Sequence, residues 1–309
     1  MVKKLIRIAT RKSPLALWQA EHIANRLKKH WPDIETKLIP LQTTGDINLK
    51  DKLQSIGGKG LFIKELEIAL LKNEADIAVH SMKDVPAILP EVLTLPVICK
   101  RDNPFDALVS KKYSKLSDFP KGAIIGTSSL RRQSQIKKFR PDLEIKVLRG
   151  NINTRLAKLA KDEFDGILLA ASGLIRMNLE SEISEILQPE IMLPACGQGA
   201  LGIEIRQNDL DIKKYISTLQ DDITALCVIT ERYINGKLGG SCHTPIGIFC
   251  ETTPNSGISI KVRILSPSGE EEISAETIGN ISKSQSLADE CIDILMNKGA
   301  KKLLSTEWI

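Results

Sequence analysis

Short runs of apolar and β-branched residues alternate with stretches of helical periodicity, and this alternation constrains the fold more than any other feature. Near the start, strands are predicted over residues 5–9, 36–41 and 76–80, with helices over 14–30 and 61–73 between them. Strands and helices that alternate in this way build a parallel sheet with helices packed on its faces. The first part of the chain is therefore predicted to form an α/β unit around a parallel sheet.

The same pattern starts again at residue 123 and predicts a second α/β unit. Its strands are expected over 123–126, 145–148 and 167–170, and its helices over 130–139 and 152–161. The chain has 309 residues, which is long for one hydrophobic core, so two or three domains are expected.

The pattern changes after Asn208. Helical sequence comes first, then three strands are predicted over 246–251, 258–265 and 272–278, followed by a helix over 285–297. Strands that follow one another without an intervening helix usually pair antiparallel. The last part of the chain is predicted to be a small α+β domain with an antiparallel sheet.

Composition excludes several classes of protein. No apolar run approaches the roughly 20 residues that would span a bilayer, and the N-terminus has no signal-peptide pattern, so a cytoplasmic protein without a membrane partner is expected. The six cysteines are dispersed, with no C-x-x-C pair and no clustered histidines, which predicts free thiols and no metal site. The net charge of +5 is too small to suggest a nucleic-acid partner.

Positive charge is nevertheless concentrated in one segment. Residues 126–176 contain eleven Lys or Arg against five Asp or Glu, an excess larger than the net charge of the whole chain. The arginines follow predicted strands at the junctions 126–132, 149–155 and 170–176, where open parallel sheets place their ligand sites. Guanidinium groups match carboxylate or phosphate with paired hydrogen bonds. We favour a site for a small molecule with several anionic groups over a solvated run of charge.

A fourth junction lies near the N-terminus. Ser13 and Pro14 are typical of a helix start, and Arg11 lies on the approach to it. An ordinary helix cap explains Ser13 but leaves Arg11 unexplained, so Arg11 joins the candidates for anion binding.

The glycine-rich stretch 57–62 fits neither the Walker A spacing nor the Rossmann fingerprint. It is either a flexible connection or a lid that carries Lys59 and Phe62 over a site.

Three further residues leave alternatives open. Asp84 could begin a turn, or it could be a lone carboxylate that offsets a developing cation. His80 is expected to be buried and structural. Cys242, next to His243, could be an inert thiol or the nucleophile of a thiol protease, although sequence neighbours do not by themselves form a catalytic pair.

Seven motifs, in order, are shared with one enzyme family. They are RKSPLA at 11–16, GGKGLF at 57–62, AVHSMKDVP at 78–86, GTSSLRR at 126–132, RGN at 149–151, LPACGQGA at 193–200 and GSCHTPIG at 240–247. In these motifs, and over nearly its whole length, the chain resembles hydroxymethylbilane synthase, also called porphobilinogen deaminase. Ser241 departs from the glycine that the family often has before the cysteine, which makes the backbone less permissive but leaves Cys242 in place.

The resemblance implies a transferase of tetrapyrrole (haem) biosynthesis. It would condense four molecules of porphobilinogen head to tail, release ammonia and give hydroxymethylbilane. A dipyrromethane cofactor, made from the same substrate, would be bound through a thioether to Cys242, whose thiol is then an anchor. Asp84 would be the catalytic residue, because a fixed carboxylate can stabilise the cation left by ammonia and accept pyrrole N–H hydrogen bonds.

The resemblance also assigns binding residues one by one. Those matched to cofactor binding are Ser81, Lys83, Asp84, Thr127, Ser129, Arg131, Arg132, Asn151 and Arg155. Those matched to the incoming substrate or the growing chain are Arg11, Ser13, Gln19, Lys59, Phe62, Arg149, Arg155 and Arg176. Porphobilinogen is the expected partner, no metal is implied, and a monomer is expected.

The implied architecture has three domains. Two α/β lobes resembling periplasmic binding proteins would comprise residues 1–99 with 200–217, and residues 100–199. A small α+β domain, residues 218–309, would carry the cofactor-attachment cysteine.

Two rival functions remain at this point. A non-catalytic carboxylate-binding protein would explain the arginines but would not need Asp84 or Cys242. A cysteine hydrolase would have a free, alkylatable Cys242 activated by His243.

Overall fold

The computed structural model describes residues 4–43, 63–240 and 244–305. The chain divides into two compact units. The first consists of residues 1–102 and 200–226, and the second of residues 103–199 and 227–309.

The elements alternate largely as the sequence predicts. The strands are β1 (Lys4–Arg11), β2 (Ile34–Leu41), β3 (Ile77–Ser81), β4 (Leu93–Ile98), β5 (Asp106–Val109), β6 (Ile124–Gly126), β7 (Glu144–Lys146), β8 (Gly166–Ala170), β9 (Glu185–Leu187), β10 (Leu201–Arg206), β11 (Ile246–Thr253), β12 (Gly257–Leu265) and β13 (Glu272–Asn280). The helices are α1 (Pro14–His30), α2 (Lys64–Leu71), α3 (Leu130–Phe139), α4 (Ile152–Ala160), α5 (Ala171–Arg176), α6 (Leu210–Ile216), α7 (Asp222–Lys237), α8 (Ser284–Asn297) and α9 (Ala300–Ser305).

A five-stranded sheet forms the centre of the first unit, in the order β2, β1, β3, β10, β4. Ile6 and Ile8 of β1 are fully buried and share one core with Ile23 of α1. Helix α1 begins at Pro14, as predicted, because the fixed φ of proline suits the first helical position and Ser13 caps the helix.

The second unit contains two sheets. One has the strand order β7, β6, β8, β5, β9, and its core includes the fully buried Leu108, Ile125 and Leu168. The other consists of β11, β12 and β13, which pair antiparallel in sequence order as predicted. Helix α8 supplies the buried Cys291 and Leu295.

The two five-stranded sheets are mixed, so the predicted parallel pairing holds for only some of their strands. Strand β1 is parallel to β2 and β3, but β10 is antiparallel to β3 and β4. Strand β6 is parallel to β7 and β8, but β5 is antiparallel to β8 and β9. Parallel pairing of neighbouring strands comes from βαβ crossovers, and neither β5 nor β10 follows its sheet neighbour through such a crossover.

The predicted site motifs begin where parallel strands end. In the first unit, Arg11 ends β1 and Ser81 ends β3, and these strands run parallel. In the second unit, Gly126 and Ala170 end the parallel strands β6 and β8. In each unit, predicted site residues therefore lie at one edge of the sheet.

Across residues 4–43, 63–240 and 244–305, no helix is long and apolar enough to cross a membrane. The same residues contain no group of three or more His, Cys, Asp or Glu side chains that could hold a metal ion.

Candidate functional site

In the first unit, the β1–α1 junction is organised by hydrogen bonds to the first turn of α1. Ser13 Oγ accepts a hydrogen bond from Ala16 N (3.4 Å), and Thr10 Oγ1 donates to Ala16 O (2.9 Å). Arg11, at the end of β1, is half-buried. Ser13 thus has the role of an ordinary helix cap, and the cap fixes the backbone that follows Arg11.

Gln19 and Ser81 form a pair in the first unit. Gln19 is 4% exposed, and its Nε2 donates to Ser81 Oγ (3.0 Å). Because the Ser81 oxygen accepts this bond, its O–H group is available to donate to another acceptor. Gln19 therefore orients a hydroxyl that can bind a carboxylate.

The chain turns sharply after β3. Residues Met82–Asp84 form a short 3-10 helix, and the amide of the buried Met82 donates to Ala200 O (3.0 Å). Lys83 and Asp84 are half-buried. Within the described parts of the chain, no group donates a hydrogen bond to the Asp84 carboxylate. A carboxylate in this state is available to the N–H groups of a ligand or to a cation.

His80 is buried, as predicted, and is paired with Glu204. Its Nε2 lies 2.8 Å from Glu204 Oε2, and Glu204 Oε1 is buried with no hydrogen-bond partner among the described residues. Burial first, and then the charge of Glu204, raise the pKa of the Glu67 carboxyl in α2. The pair joins β3 to β10 within the first unit, which fits a structural histidine.

In the second unit, Arg131 and Arg132 lie in the first turn of α3 and point inward. They are 5% and 6% exposed, and both guanidiniums bind Asp106, the fully buried first residue of β5. Nη1 and Nη2 of Arg131 donate to the carboxylate at 2.7 and 3.2 Å, and Nε of Arg132 donates at 2.9 Å. These two arginines are therefore not a solvated run of charge.

The Asp106 carboxylate is held in its ionised form. Burial alone would raise the pKa of Asp106, but the charges of Arg131 and Arg132 and their hydrogen bonds hold it well below the usual range. Burial also lowers the pKa of Arg132, and the charge of Asp106 offsets part of that effect. An ionised carboxylate thus lies between two cations in the interior of the unit.

Arg155 of α4 adds a third guanidinium. Its Nε donates to Gly150 O (2.8 Å), and none of the residues that the structure describes gives it a carboxylate partner. Burial, and then the charge of Arg132, lower the pKa of Arg155 to about 10. Among the described residues, Arg131 and Arg132 therefore share the Asp106 carboxylate, and Arg155 has no carboxylate partner. Buried cations need counter-charges, so this surplus favours an anionic ligand.

Two further predicted arginines follow strands of the same sheet. Arg176 ends α5, is 4% exposed, and its Nη2 donates to Gly199 O (2.7 Å). Arg149 is half-buried and precedes Gly150, whose φ of 112° lies in a region that favours glycine. Both arginines have further interactions within the protein.

The predicted hydroxyl and amide ligands start the two helices α3 and α4. Thr127 is buried, and its Oγ1 accepts a hydrogen bond from Ser129 N (3.2 Å). Ser129 lies at the N-cap position of α3, and its side chain makes no capping bond. Asn151 caps α4, because its Oδ1 accepts hydrogen bonds from Thr154 N (2.9 Å) and Thr154 Oγ1 (3.0 Å).

Three predicted site residues, Lys59, Phe62 and Cys242, lie outside the described residues. The backbone before Cys242 is defined up to Gly240. Gly239, with a φ of 67°, follows α7, and Gly240 N donates to Asn235 O (2.8 Å).

Sequence reasoning missed Asp106 and Gln198. Gln198 Nε2 donates to Asp106 Oδ1 (3.1 Å) and to Pro104 O (2.7 Å). One signal was present in the sequence. Asp106 is an acidic residue directly before the apolar run 107–109, in the half of the chain that has excess arginine.

These features define a class of protein. The chain is a mixed α/β enzyme-like protein whose second unit concentrates guanidinium groups beyond the ends of parallel strands, where they can receive a small polyanion. Two family models match it. One is described as "Porphobilinogen deaminase, dipyromethane cofactor binding domain" and covers residues 6–214, and the other as "Porphobilinogen deaminase, C-terminal domain" and covers residues 225–297.

Full-length relatives identify the same family as the two family models. Two proteins named porphobilinogen deaminase, from the Paris and Philadelphia 1 strains of Legionella pneumophila, are each 54% identical to the chain over 306 residues, with 99% of both sequences covered. The chain belongs to the porphobilinogen deaminase family, and it is therefore an enzyme, a transferase of tetrapyrrole (haem) biosynthesis.

Solved structures of binding proteins show a weaker likeness. A putative methionine-binding lipoprotein from Bacillus subtilis aligns with a TM-score of 0.44 and 15% identity over 72% of this chain and 92% of its own. The methionine-binding protein MetQ aligns with a TM-score of 0.44 and 14% identity over 76% and 96% of the two chains.

Proposed function

We propose that the protein condenses four porphobilinogen molecules head to tail with release of ammonia, on a dipyrromethane primer attached to Cys242, to give hydroxymethylbilane. The observation that carries the proposal is the surplus of positive charge in the second unit, where Arg131 and Arg132 share the Asp106 carboxylate and Arg155 has no carboxylate partner among the described residues. A primer and product that bear acetate and propionate arms on every ring supply the missing negative charge.

The residues present fit a dipyrromethane group. Its carboxylates would be held by Arg131, Arg132 and Arg155, and by donors at the helix starts and strand ends, which are Ser81, Lys83, Thr127, Ser129 and Asn151. When bound, the cofactor supplies the terminal pyrrole carbon to which the first substrate ring is added. The incoming substrate and the growing chain would contact Arg11, Ser13, Gln19, Lys59, Phe62, Arg149, Arg155 and Arg176.

Asp84 is assigned the catalytic role. Loss of ammonia from the aminomethyl group leaves a cation on the substrate ring, and a fixed carboxylate stabilises that charge. The Asp84 carboxylate has no internal donor among the described residues, so it can accept pyrrole N–H hydrogen bonds, which arginines cannot do. It can also take up the proton lost when two rings are joined.

Three further features belong to the proposal. The domains would be residues 1–99 with 200–217, residues 100–199, and residues 218–309, with Cys242 in the last. The enzyme would work as a monomer in the cytoplasm.

The attachment of the cofactor can be tested by mass spectrometry of the purified protein. We expect a mass excess of two pyrrole units, located on the peptide that contains Cys242. Cys242→Ala should lack the excess, whereas Cys196→Ala, which removes a partly exposed thiol elsewhere in the chain, should retain it. An unmodified Cys242 that reacts readily with an alkylating reagent would instead support a cysteine hydrolase. An unmodified protein that binds porphobilinogen without consuming it would support a carboxylate-binding protein.

A further inference from the structure

We propose that Asp106 is a positioning residue, which fixes the guanidiniums of Arg131 and Arg132 in the orientation that receives the carboxylates of the cofactor. The inference rests on the proposed function, because it takes the cofactor as the ligand of these two arginines. Neither the family motifs nor the binding residues matched from the family include Asp106.

Asp106 cannot contact the ligand itself. Its side chain has no exposed surface, and four hydrogen bonds from Arg131, Arg132 and Gln198 occupy both carboxylate oxygens. Because the carboxylate has no exposed surface and protein donors hold both of its oxygens, it is not available to substrate or for proton transfer. Its influence on the reaction must therefore pass through the two arginines.

Each guanidinium is fixed at two points. Arg131 Nη1 donates to Leu193 O (2.7 Å) as well as to Asp106, and Arg132 Nη1 donates to Leu168 O (2.9 Å). A planar group held by a carboxylate and by a carbonyl cannot rotate without losing both bonds. The N–H groups that remain are thereby held in fixed positions before any ligand binds.

Asp106 also makes the adjacent placement of two cations possible. Arg131 and Arg132 lie in the first turn of α3, where the helix dipole disfavours positive charge. Without an internal anion, two neighbouring buried cations would repel each other and turn outward to water. The carboxylate keeps them buried and side by side.

The same contacts join several elements of the second unit. Asp106 is the first residue of β5, Arg131 and Arg132 lie in the first turn of α3, and Leu168 lies in β8. Leu193 is held in turn by Gln135 of α3, which accepts a hydrogen bond from Leu193 N at 2.8 Å. The arginines are therefore positioned by a connected framework, and Asp106 is the residue that binds both.

Positioning and simple electrostatics predict opposite results for Asp106→Asn. If only the net charge mattered, removal of a carboxylate from a cationic site would strengthen the binding of a polyanion. If Asp106 orients the arginines, the same change weakens capture of the cofactor, because small displacements of binding groups are costly. Whether Asp106→Asn strengthens or weakens cofactor capture thus distinguishes positioning from simple electrostatics.

The test uses protein produced in a host that makes no porphobilinogen, so that the chain is obtained without cofactor. It is then incubated with porphobilinogen, and the loaded fraction is followed by intact mass at a temperature at which all variants are folded by circular dichroism. We expect Asp106→Asn to load about tenfold more slowly, or worse, than the wild type. The matched control is Asp165→Asn. Asp165 lies in the same unit and accepts a hydrogen bond from Ile124 N (2.8 Å), but none of the three arginines pairs with it.

Asp106→Glu covers the case in which the first variant does not fold. It keeps the charge but displaces the guanidiniums by the length of a methylene group, so loading should again be slower. Loading of either folded variant at or above the wild-type rate would overturn the proposal, as would an equal loss in Asp165→Asn. A wild-type protein that never gains the mass of two pyrrole units would refute the proposed function instead, so the two failures are distinguishable.

Discussion

At the scale of single residues, two aspartates show how burial and hydrogen bonding decide whether a carboxylate can act on a ligand or only hold other side chains in place. Asp84 is half-buried, and no described residue donates to its carboxylate, so its lone pairs are available to a ligand. Asp106 is fully buried and saturated by arginine and glutamine donors. The first therefore suits a role in chemistry, and the second suits a role in holding other residues.

Removal of the Asp84 carboxylate should abolish most turnover and leave the rest of the protein intact. We expect Asp84→Ala to fold, to carry the cofactor mass, and to consume porphobilinogen about 10²- to 10⁴-fold more slowly than the wild type, the range usual for loss of a general acid or base. Asp84→Asn keeps the size of the side chain but not its charge and should be impaired similarly. Consumption near the wild-type rate in a variant with normal cofactor content would exclude the assigned role.

At the scale of elements, the helix starts combine a structural and a binding function. The side-chain oxygen Oδ1 of Asn151 caps α4 by accepting hydrogen bonds from Thr154. The side-chain N–H₂ group of Asn151 makes no hydrogen bond to the described residues. The same side chain can therefore cap the helix with its oxygen and donate to an anion with its nitrogen. Because α4 carries Arg155, the cap also defines where that guanidinium lies.

Two substitutions of Asn151 separate these functions. Asn151→Asp keeps the capping oxygen but replaces the donor by a negative charge, so stability should be retained while cofactor loading falls. Asn151→Ala removes the cap and should lower the free energy of unfolding by about 1 kcal/mol. Urea denaturation measures the free energy of unfolding, and intact mass measures cofactor loading. Normal loading of Asn151→Asp would show that this side chain does not contact the anion.

The bounds of long helices could be predicted from the sequence, and so could the short strands β6 and β7, but the short strands β5 and β9 could not. The bounds predicted for α1 and α3 are the observed ones, because each has a clear start and a sustained helical period. Strands β5 and β9 contain four and three residues, too few for a periodic pattern, and their positions depend on antiparallel pairing with distant strands. The arginines of the site were visible as a local excess of charge. Their partner Asp106 was not, since the contact exists only after β5, β8 and α3 have packed together.

At the scale of the whole molecule, ionised carboxylates stabilise both units. In the first unit, Asp76 accepts hydrogen bonds from Arg7 N (2.7 Å) and Arg7 Nε (3.0 Å), and Arg206 lies 3.5 Å away. Burial alone would raise the pKa of Asp76, but these contacts outweigh it and lower the pKa below its ordinary value of 3.8. In the second unit, Asp106 is likewise a buried carboxylate with two arginines as partners.

The depressed pKa of Asp76 predicts how stability depends on pH. A carboxyl group whose pKa is lower in the folded than in the unfolded chain contributes stability that is fully present above the unfolded value and is lost as pH falls through the folded value. Asp76→Asn should therefore lower the free energy of unfolding by about 2 kcal/mol at neutral pH, and the difference from the wild type should shrink below about pH 4. Thermal unfolding from neutral pH to about pH 3 measures this convergence. Asp33→Asn, at an exposed position, is the control and should follow the wild-type curve. A difference between Asp76→Asn and the wild type that stayed constant down to the lowest pH would show that the side chain stabilises the unit by packing, without a contribution from its charge.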